Sequence, residues 1–189
     1  MTSTARVTLL LLLVTFAIAR FCHIDILWVE EAYPTAAAME ILRGKMLYRD
    51  IWFDKPPLYA LVYTLWGAQP GFWLRLADAL YLLLCCGLIF RFAQKMWGAT
   101  ESFLATFLLG FYLTFGIPAA VIAMAPDLLM VAPHIAAVYL AWRRQAFWSG
   151  VLAGIALLIN TKAVFVLAAC LLWVWPEWWM LLALSLIHI

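Results

Sequence analysis

The stretch FWLRLADALYLLLCCGLIF, residues 72–90, decides the fold class. It is apolar except for Arg75 and Asp78, and its length is close to the ~20 residues that a helix needs to cross a bilayer. The whole chain is 68% hydrophobic and 12% charged, with a mean hydropathy of +1.01. Soluble domains are about 45–50% apolar and about 25% charged. The sequence therefore predicts an integral membrane protein and excludes a disordered chain, a nucleic-acid-binding domain and a disulfide scaffold.

Apolar runs on both sides of this stretch predict an all-α, polytopic membrane helix bundle of about six or seven spans, with residues 1–189 in one domain. The predicted spans are, in order, residues 7–26, 72–92, 100–119, 127–142, 147–160 and 163–175, within a spanning region that continues to residue 189. Residues 27–71 form a charged first outer loop that carries short interfacial helices. An alternative for the first run is a cleaved leader, because Ala17-Ile18-Ala19 resembles a signal-peptidase site.

Basic residues set the predicted orientation. Arg91 and Lys95 follow one apolar run, and Arg143 and Arg144 follow another, so the positive-inside rule places both clusters on the cytoplasmic side. That topology requires residues 58–68 not to cross the membrane. A helix of that length reaches only about 17 Å, against about 30 Å of hydrocarbon, so it is expected to lie at the interface or to re-enter.

Two local patterns organise the outer loop. Residues 34–43 are predicted to form a short helix, with Pro34 in its first turn and Gly44 at its C-terminal end, where a left-handed residue is favoured. Pro56 and Pro57 are predicted to stop regular structure before the next apolar segment.

The predicted topology gathers charged side chains at one face of the membrane. Ionisable groups are costly near lipid and suggest function by default. The candidates at or near the outer face are Glu30, Glu31, Asp50, Asp54, Lys55, Arg75, Asp127 and Lys162. No spacing such as HxxxH or HExxH indicates a metal site, so the sequence identifies no cofactor and leaves metal dependence open.

Two motifs in the loop each have two interpretations. Glu30 and Glu31 can divide the roles of general base and hydrogen-bonded partner, or they can be interfacial charges that tether the loop. Asp54 and Lys55 precede two prolines that fix the backbone. The ammonium group suits a phosphate, whereas the alternative is a salt-bridged turn.

Three further sites each have a structural interpretation beside a functional one. Arg75 and Asp78 are three residues apart and can pair on a helix. Asp127 is at a helix N-terminus, where a carboxylate is favoured in any case. Lys162 interrupts an apolar run and either binds an anion or extends its side chain to the interface.

Taken together and in order, these motifs resemble the N-terminal part of GT-C-type membrane glycosyltransferases over nearly the whole chain. The motifs are the acidic pair at 30–31, Tyr33, the alanine-rich helix, LRGK (42–45), YRD (48–50), DKPPL (54–58), LRL (74–76), PD (126–127) and TK (161–162). The most similar patterns are those of protein O-mannosyltransferases, lipid A aminoarabinose transferases and the transferases grouped with lipopolysaccharide-core galacturonosyltransferases.

The resemblance implies an inverting transfer from a polyprenyl-phosphate-linked sugar to a protein, lipid or glycan acceptor. The site would face the outer, periplasmic side of a bacterial plasma membrane. Glu30 would be the base and Glu31 its neighbour in the acidic motif, while Lys55 and Arg75 would face the lipid phosphate. The full substrate-binding set is Asp50, Asp54, Lys55, Arg75, Asp127 and Lys162.

The chain departs from the family pattern at two motifs. The family usually has Asp-Glu where this chain has Glu30-Glu31, and Thr-Lys-Gly where it has Thr161-Lys162-Ala163. Members of the family are several hundred residues long and this chain stops inside an apolar run, so we expect an N-terminal fragment. The alternatives are a membrane transporter or flippase and a non-catalytic, truncated membrane subunit.

Overall fold

The computed structural model describes residues 3–116 and 123–174, without the side chains of residues 3–5. The prediction of an all-α fold is confirmed: this part of the chain is helical and contains no strand. The α-helices are α1 (Ser3–Phe21), α2 (Val29–Leu42), α3 (Pro57–Tyr63), α4 (Phe72–Met96), α5 (Ala99–Phe115), α6 (Pro126–Leu129), α7 (Val131–Trp142), α8 (Ala146–Leu157) and α9 (Val164–Val174). Short 3₁₀ turns cover Thr64–Trp66 and Thr161–Ala163. Parts of the predicted spans, residues 117–119 and 175–189, lie outside the described residues.

The longer helices alternate in direction. Arg20, at the end of α1, donates to the Asp78 carboxylate near the start of α4 (3.3 Å) and to the Leu113 carbonyl near the end of α5 (2.6 Å). At the opposite end of α4, Lys95 donates to the Tyr139 hydroxyl of α7 (2.7 Å). Arg143 and Lys95 therefore lie together, as the predicted topology requires. We call this the basic end and the end that carries Asp78 the loop end.

Only some of the predicted spans correspond to a helix long enough to cross a membrane. Within the described residues, α4 is the one helix long and apolar enough to cross a membrane. The segments Ala99–Phe115, Pro126–Trp142, Ala146–Leu157 and Thr161–Val174 are apolar but shorter than the ~20 residues that a straight crossing needs. The run 127–142 is further divided at Met130, so the bundle of six or seven spans goes beyond the observed helices.

Small residues let the helices approach closely. Ala137 and Ala141 of α7 and Ala153 of α8 are fully buried where these helices meet. Ser149 of α8 donates to the Ala137 carbonyl across this contact (2.9 Å). A Cβ atom on Gly110 of α5 would lie 2.5 Å from the Phe16 ring of α1. Small residues and interhelical hydroxyl bonds are the usual means of helix association in membranes.

The surface of the bundle is apolar where that of a soluble bundle would be polar. Exposed side chains follow one face of α1 and one face of α5 at helical spacing. They are Val7, Leu10, Leu11, Val14 and Ile18 on α1, and Leu104, Leu108, Phe111 and Phe115 on α5. The exposed faces are thus built from Leu, Ile, Val and Phe.

The outer loop differs from its prediction at the start of α2. The helix begins at Val29, five residues before the predicted start, because the Glu31 carboxylate accepts the Trp28 N–H (3.2 Å) and closes the first turn. Pro34 therefore lies inside the helix and not in its first turn. The predicted end is confirmed, since Gly44 has φ +88°. The segment 58–68 is only the short α3 and a 3₁₀ turn, too short to span.

Candidate active site at the loop end

A network of four buried charges lies where α1, α2 and α4 meet. Arg75 holds both carboxylate oxygens of Glu31, with N–O distances of 2.8 and 2.5 Å. Asp78 lies 3.3 Å from Arg75 and 3.3 Å from Arg20. All four side chains are at most 1% exposed. The predicted pairing of Arg75 with Asp78 is therefore observed, within a larger network that includes Arg20.

The carboxylate of Glu31 has no capacity left for a ligand. Besides Arg75, it accepts the backbone N–H of Met124 on Oε1 (2.9 Å) and that of Trp28 on Oε2 (3.2 Å). Arg75 also donates its second terminal nitrogen to the Ile26 carbonyl (3.0 Å). The structure thus assigns Arg75 to holding Glu31 in place of facing a lipid phosphate, because both terminal nitrogens are already bonded and shielded from solvent.

Glu30 differs from its neighbour in having its carboxylate free. The side chain is half-buried in the first turn of α2 and makes no ion pair or side-chain hydrogen bond with the described residues. Its backbone carbonyl accepts the hydroxyl of Tyr59, which is fully buried. Of the two predicted catalytic carboxylates, Glu30 is therefore the one whose oxygens are not bonded to other groups among the described residues.

Tyr59 marks the place where the loop-end carboxylates converge. Burial raises the pKa of its phenol well above the usual value, and the charges of Glu30, Glu31 and Asp127 raise the pKa further. These carboxylates come from α2 and α6, which are about 100 residues apart in sequence, yet all lie near one hydroxyl.

Asp127 and Lys162 form a second, exposed charge pair at this end. Lys162 Nζ lies 3.0 and 2.9 Å from the two oxygens of Asp127, and Asn160 donates to Oδ1 (2.7 Å). The Lys162 side chain is 60% exposed. Asn160 was not among the predicted residues, although its position two residues before Lys162 in an apolar run was a signal for it.

The DKPP turn carries the other accessible lysine. Lys55 and Asp54 are 3.5 Å apart and both side chains are exposed. Backbone bonds hold the turn: Tyr48 donates to the Lys55 carbonyl (2.7 Å), and the Asp54 N–H donates to the hydroxyl of Tyr33 (3.1 Å). Both interpretations of the motif fit this geometry, since the salt-bridged turn leaves the ammonium group open to solvent.

Asp50 lies in the same loop but is committed to its own turn. Its carboxylate binds Arg49 (2.8 Å) and accepts the N–H of Met46 (2.9 Å). These two contacts, the one with Arg49 being the larger, hold the pKa of Asp50 below its usual value. The geometry does not bring this residue to Asp127 or Lys162.

A long apolar groove is lined by residues close in sequence to the two accessible lysines. A cavity of about 700 Å³ lies between α3, α4, α7 and α8. Along α4 it extends from Trp73 to Leu88, which is about 22 Å at 1.5 Å per residue. Its lining is almost entirely apolar and includes Leu58, Val62, Trp66, Leu76, Leu80, Leu84, Leu129, Ala136, Ile155 and Ile159.

One backbone contact joins the two segments that carry the exposed lysines. The Leu58 N–H donates to the Leu158 carbonyl (3.0 Å), which joins the start of α3 to the end of α8. Leu58 and Ile159 line the groove, and each is three residues from an exposed lysine, Lys55 or Lys162. The arrangement can therefore hold a molecule with a long apolar tail and an anionic head.

No group of three or more His, Cys, Asp or Glu residues in the described parts of the chain is arranged to hold a metal ion. Comparison with known proteins found no matching family model, no matching curated protein and no matching solved structure. The residues of the loop end and the sequence motifs are therefore what indicates a function.

Proposed function

We propose that the protein is a membrane glycosyltransferase of the GT-C type that transfers a sugar from a polyprenyl-phosphate-linked donor to an acceptor at the outer face of a bacterial plasma membrane. The observation that carries the proposal is the apolar groove of about 700 Å³ whose lining residues Leu58 and Ile159 are each three residues from an exposed lysine, Lys55 or Lys162. In this proposal the first spans of the bundle are α1, α4, α5, the pair α6 and α7, α8 and α9.

The surface chemistry supports the membrane location. Exposed apolar patches beyond a few hundred Å² mark protein or membrane contacts, and here Leu10 and Leu108 are each 62% exposed on continuous apolar helix faces. The charges of Glu31 and Arg75 lie inside the bundle, whereas its exposed helix faces are apolar. Helices shorter than the hydrocarbon thickness can be matched by local thinning of the bilayer.

The groove supports a lipid-linked donor. An isoprenoid chain is long, flexible and purely apolar, and burying it in an apolar groove contributes about 25 cal/mol per Å². The phosphate that follows such a chain would reach the groove end near Lys55 and Lys162. Cations aimed at a leaving phosphate stabilise the charge that develops on it as the sugar departs.

The different contacts of Glu30 and Glu31 support different roles for the two carboxylates. In the proposed reaction an acceptor hydroxyl loses its proton to the Glu30 carboxylate as its oxygen bonds to the anomeric carbon of the sugar. The bond between that carbon and the phosphate oxygen breaks, and polyprenyl phosphate leaves from the opposite face, so the configuration inverts. Glu31 keeps Arg75 and the first turn of α2 in place.

The test is transfer by the protein in liposomes. The donors are undecaprenyl phosphate carrying radiolabelled mannose, aminoarabinose or galacturonic acid, and a bacterial envelope extract supplies acceptors. Glu30→Gln is expected to reduce label transfer at least 100-fold, the usual contribution of a general base. Lys55→Ala is expected to reduce it at least 10-fold, because the phosphate loses a cation.

Two variants of the same loop serve as matched controls. Glu40→Gln changes another acid of α2, and Lys45→Ala another exposed lysine, and these residues pair with each other away from the groove. Both variants should transfer label as the unmodified protein does. Equal activity in Glu30→Gln would overturn the role of Glu30. Movement of the labelled lipid across the bilayer without product would instead establish a flippase, and an unchanged donor would establish a non-catalytic subunit.

A further inference from the structure

Pro34 leaves one backbone carbonyl of α2 without its usual partner. In an α-helix the carbonyl of residue 30 accepts the N–H of residue 34, but proline has no N–H. The freed carbonyl is that of Glu30, and it accepts the hydroxyl of Tyr59 instead. A buried carbonyl without a donor is costly, so Tyr59 replaces what the proline removes.

The same device recurs at a second proline. Pro133 lies in the first turn of α7, and the carbonyl four residues earlier, that of Leu129 at the end of α6, accepts the hydroxyl of Tyr81 from α4. In both places a tyrosine of a neighbouring helix donates to the carbonyl four residues before a proline. The two sites differ in one respect: only the first lies on the residue that bears the proposed base.

Tyr59 is held firmly enough to act as a fixed point. It is fully buried, and its ring contacts Phe53 on one side (6.1 Å between centroids) and Tyr63 on the other (6.0 Å). Tyr59 lies two residues after Pro57, the first residue of α3. Its hydroxyl therefore links the DKPP turn to the first turn of α2. Because burial and nearby carboxylates raise its pKa, the phenol remains a donor at working pH.

We infer that Tyr59 is a positioning residue whose hydrogen bond to the freed Glu30 carbonyl sets the direction in which the Glu30 carboxylate points. The inference rests on the proposed function. It does not require Tyr59 to touch substrate. Its effect is on the approach of the base to the acceptor hydroxyl, where a displacement of 1 Å can change the rate by about 100-fold.

The proline offers a rescue that a purely structural role for Tyr59 would not predict. Tyr59→Phe removes the hydroxyl and should lower kcat 10- to 100-fold, with the KM for donor changed less than twofold. Pro34→Ala supplies a backbone N–H to the Glu30 carbonyl. The double variant Pro34→Ala/Tyr59→Phe should therefore recover kcat to within threefold of the Pro34→Ala protein.

Ser149→Ala is the control for folding. It removes a buried hydroxyl bond to a backbone carbonyl, that of Ala137, outside the groove and leaves the bond to Glu30 intact. It should lower the unfolding midpoint, as Tyr59→Phe does, and lower kcat far less. An unchanged kcat in Tyr59→Phe, or a double variant no better than Tyr59→Phe, would overturn the inference.

A second readout separates this inference from the proposed function. Glu30-Glu31 is the only pair of adjacent glutamates in the chain, so carbonyl-¹³C, amide-¹⁵N glutamate labelling isolates the Glu30 carbonyl in one NMR signal. The carbonyl shift should move in Tyr59→Phe and return in the double variant, even if the protein transfers no sugar. A shift that does not respond to Tyr59→Phe would disprove the hydrogen bond itself.

Discussion

The loop end contains two sets of charges with similar chemistry and opposite surroundings. In the buried network, Glu31 and Arg75 are at most 1% exposed, and both Glu31 oxygens and both terminal nitrogens of Arg75 are bonded to protein groups. In the pair Asp127–Lys162, the lysine is 60% exposed and its partner is half-buried. The difference is one of access: the Lys162 ammonium group is open to solvent, and the Arg75 guanidinium group is not.

The energetics of the two sets should differ as much as their exposure. An ion pair taken out of water has a desolvation cost that only complete pairing offsets, so removing one partner leaves an uncompensated charge. An exposed pair gains little because water and salt compete for both groups. Stability should therefore depend on the buried network, and ligand binding on the exposed pair.

The largest expected effect is that of Arg75→Ala. It leaves Glu31 and Asp78 buried with one cation, Arg20, in place of two, and should lower the free energy of unfolding by about 3–5 kcal/mol. Thermal unfolding in lipid nanodiscs, followed by tryptophan fluorescence, measures the change. Arg43→Ala is the control because Arg43 also pairs with a glutamate, Glu40, but is 65% exposed. Equal midpoints for the two variants would contradict the comparison.

The next prediction concerns Lys162, whose replacement should change the stability of the fold little and the binding of the donor more. Lys162→Ala should change the free energy of unfolding by less than about 1 kcal/mol, as for other exposed pairs, while raising the KM for the lipid-linked donor about tenfold through loss of a phosphate contact. Steady-state transfer in liposomes measures it, with Lys95→Ala at the basic end as the control. A stability loss similar to that of Arg75→Ala would show that the exposed pair is structural too.

The contrast also shows where sequence reasoning succeeds. Arg75 and Asp78 are three residues apart, so their pairing follows from helix geometry alone. The rest of the network does not, because Arg20 and Glu31 lie 58 and 44 residues from the partners they bind. Arg20 in an apolar run was itself a signal, since a charge there needs a partner, but nothing in the sequence names that partner.

The helices, like the charge network, could be predicted only in part from the sequence. Hydrophobic runs locate α4, α5 and α8 because burial in an apolar environment leaves a direct mark on composition. The predicted start of α2 was wrong because proline is typical of the first turn of a helix. In the structure Pro34 lies inside α2, and the Tyr59 hydroxyl supplies the hydrogen bond that the proline cannot donate. The groove could not be predicted, since it is formed by α3, α4, α7 and α8 together.

The smallest effect concerns Glu40, a half-buried carboxylate whose two basic partners are exposed. Hydrogen bonds from Lys45 and then Arg43 hold the pKa of Glu40 below its usual 4.5. A lowered carboxylate pKa means that these bonds stabilise the fold above pH 4.5 and are lost as the pH falls through the lowered pKa. Lys45→Ala should raise the pKa toward 4.5, and Arg43→Ala should raise it less. Carboxyl ¹³C NMR titration measures both. If neither variant changed the pKa of Glu40, the exposed ion pairs would be too weak to order the loop. Exposed pairs would then contribute nothing to the fold, in full contrast to the buried network.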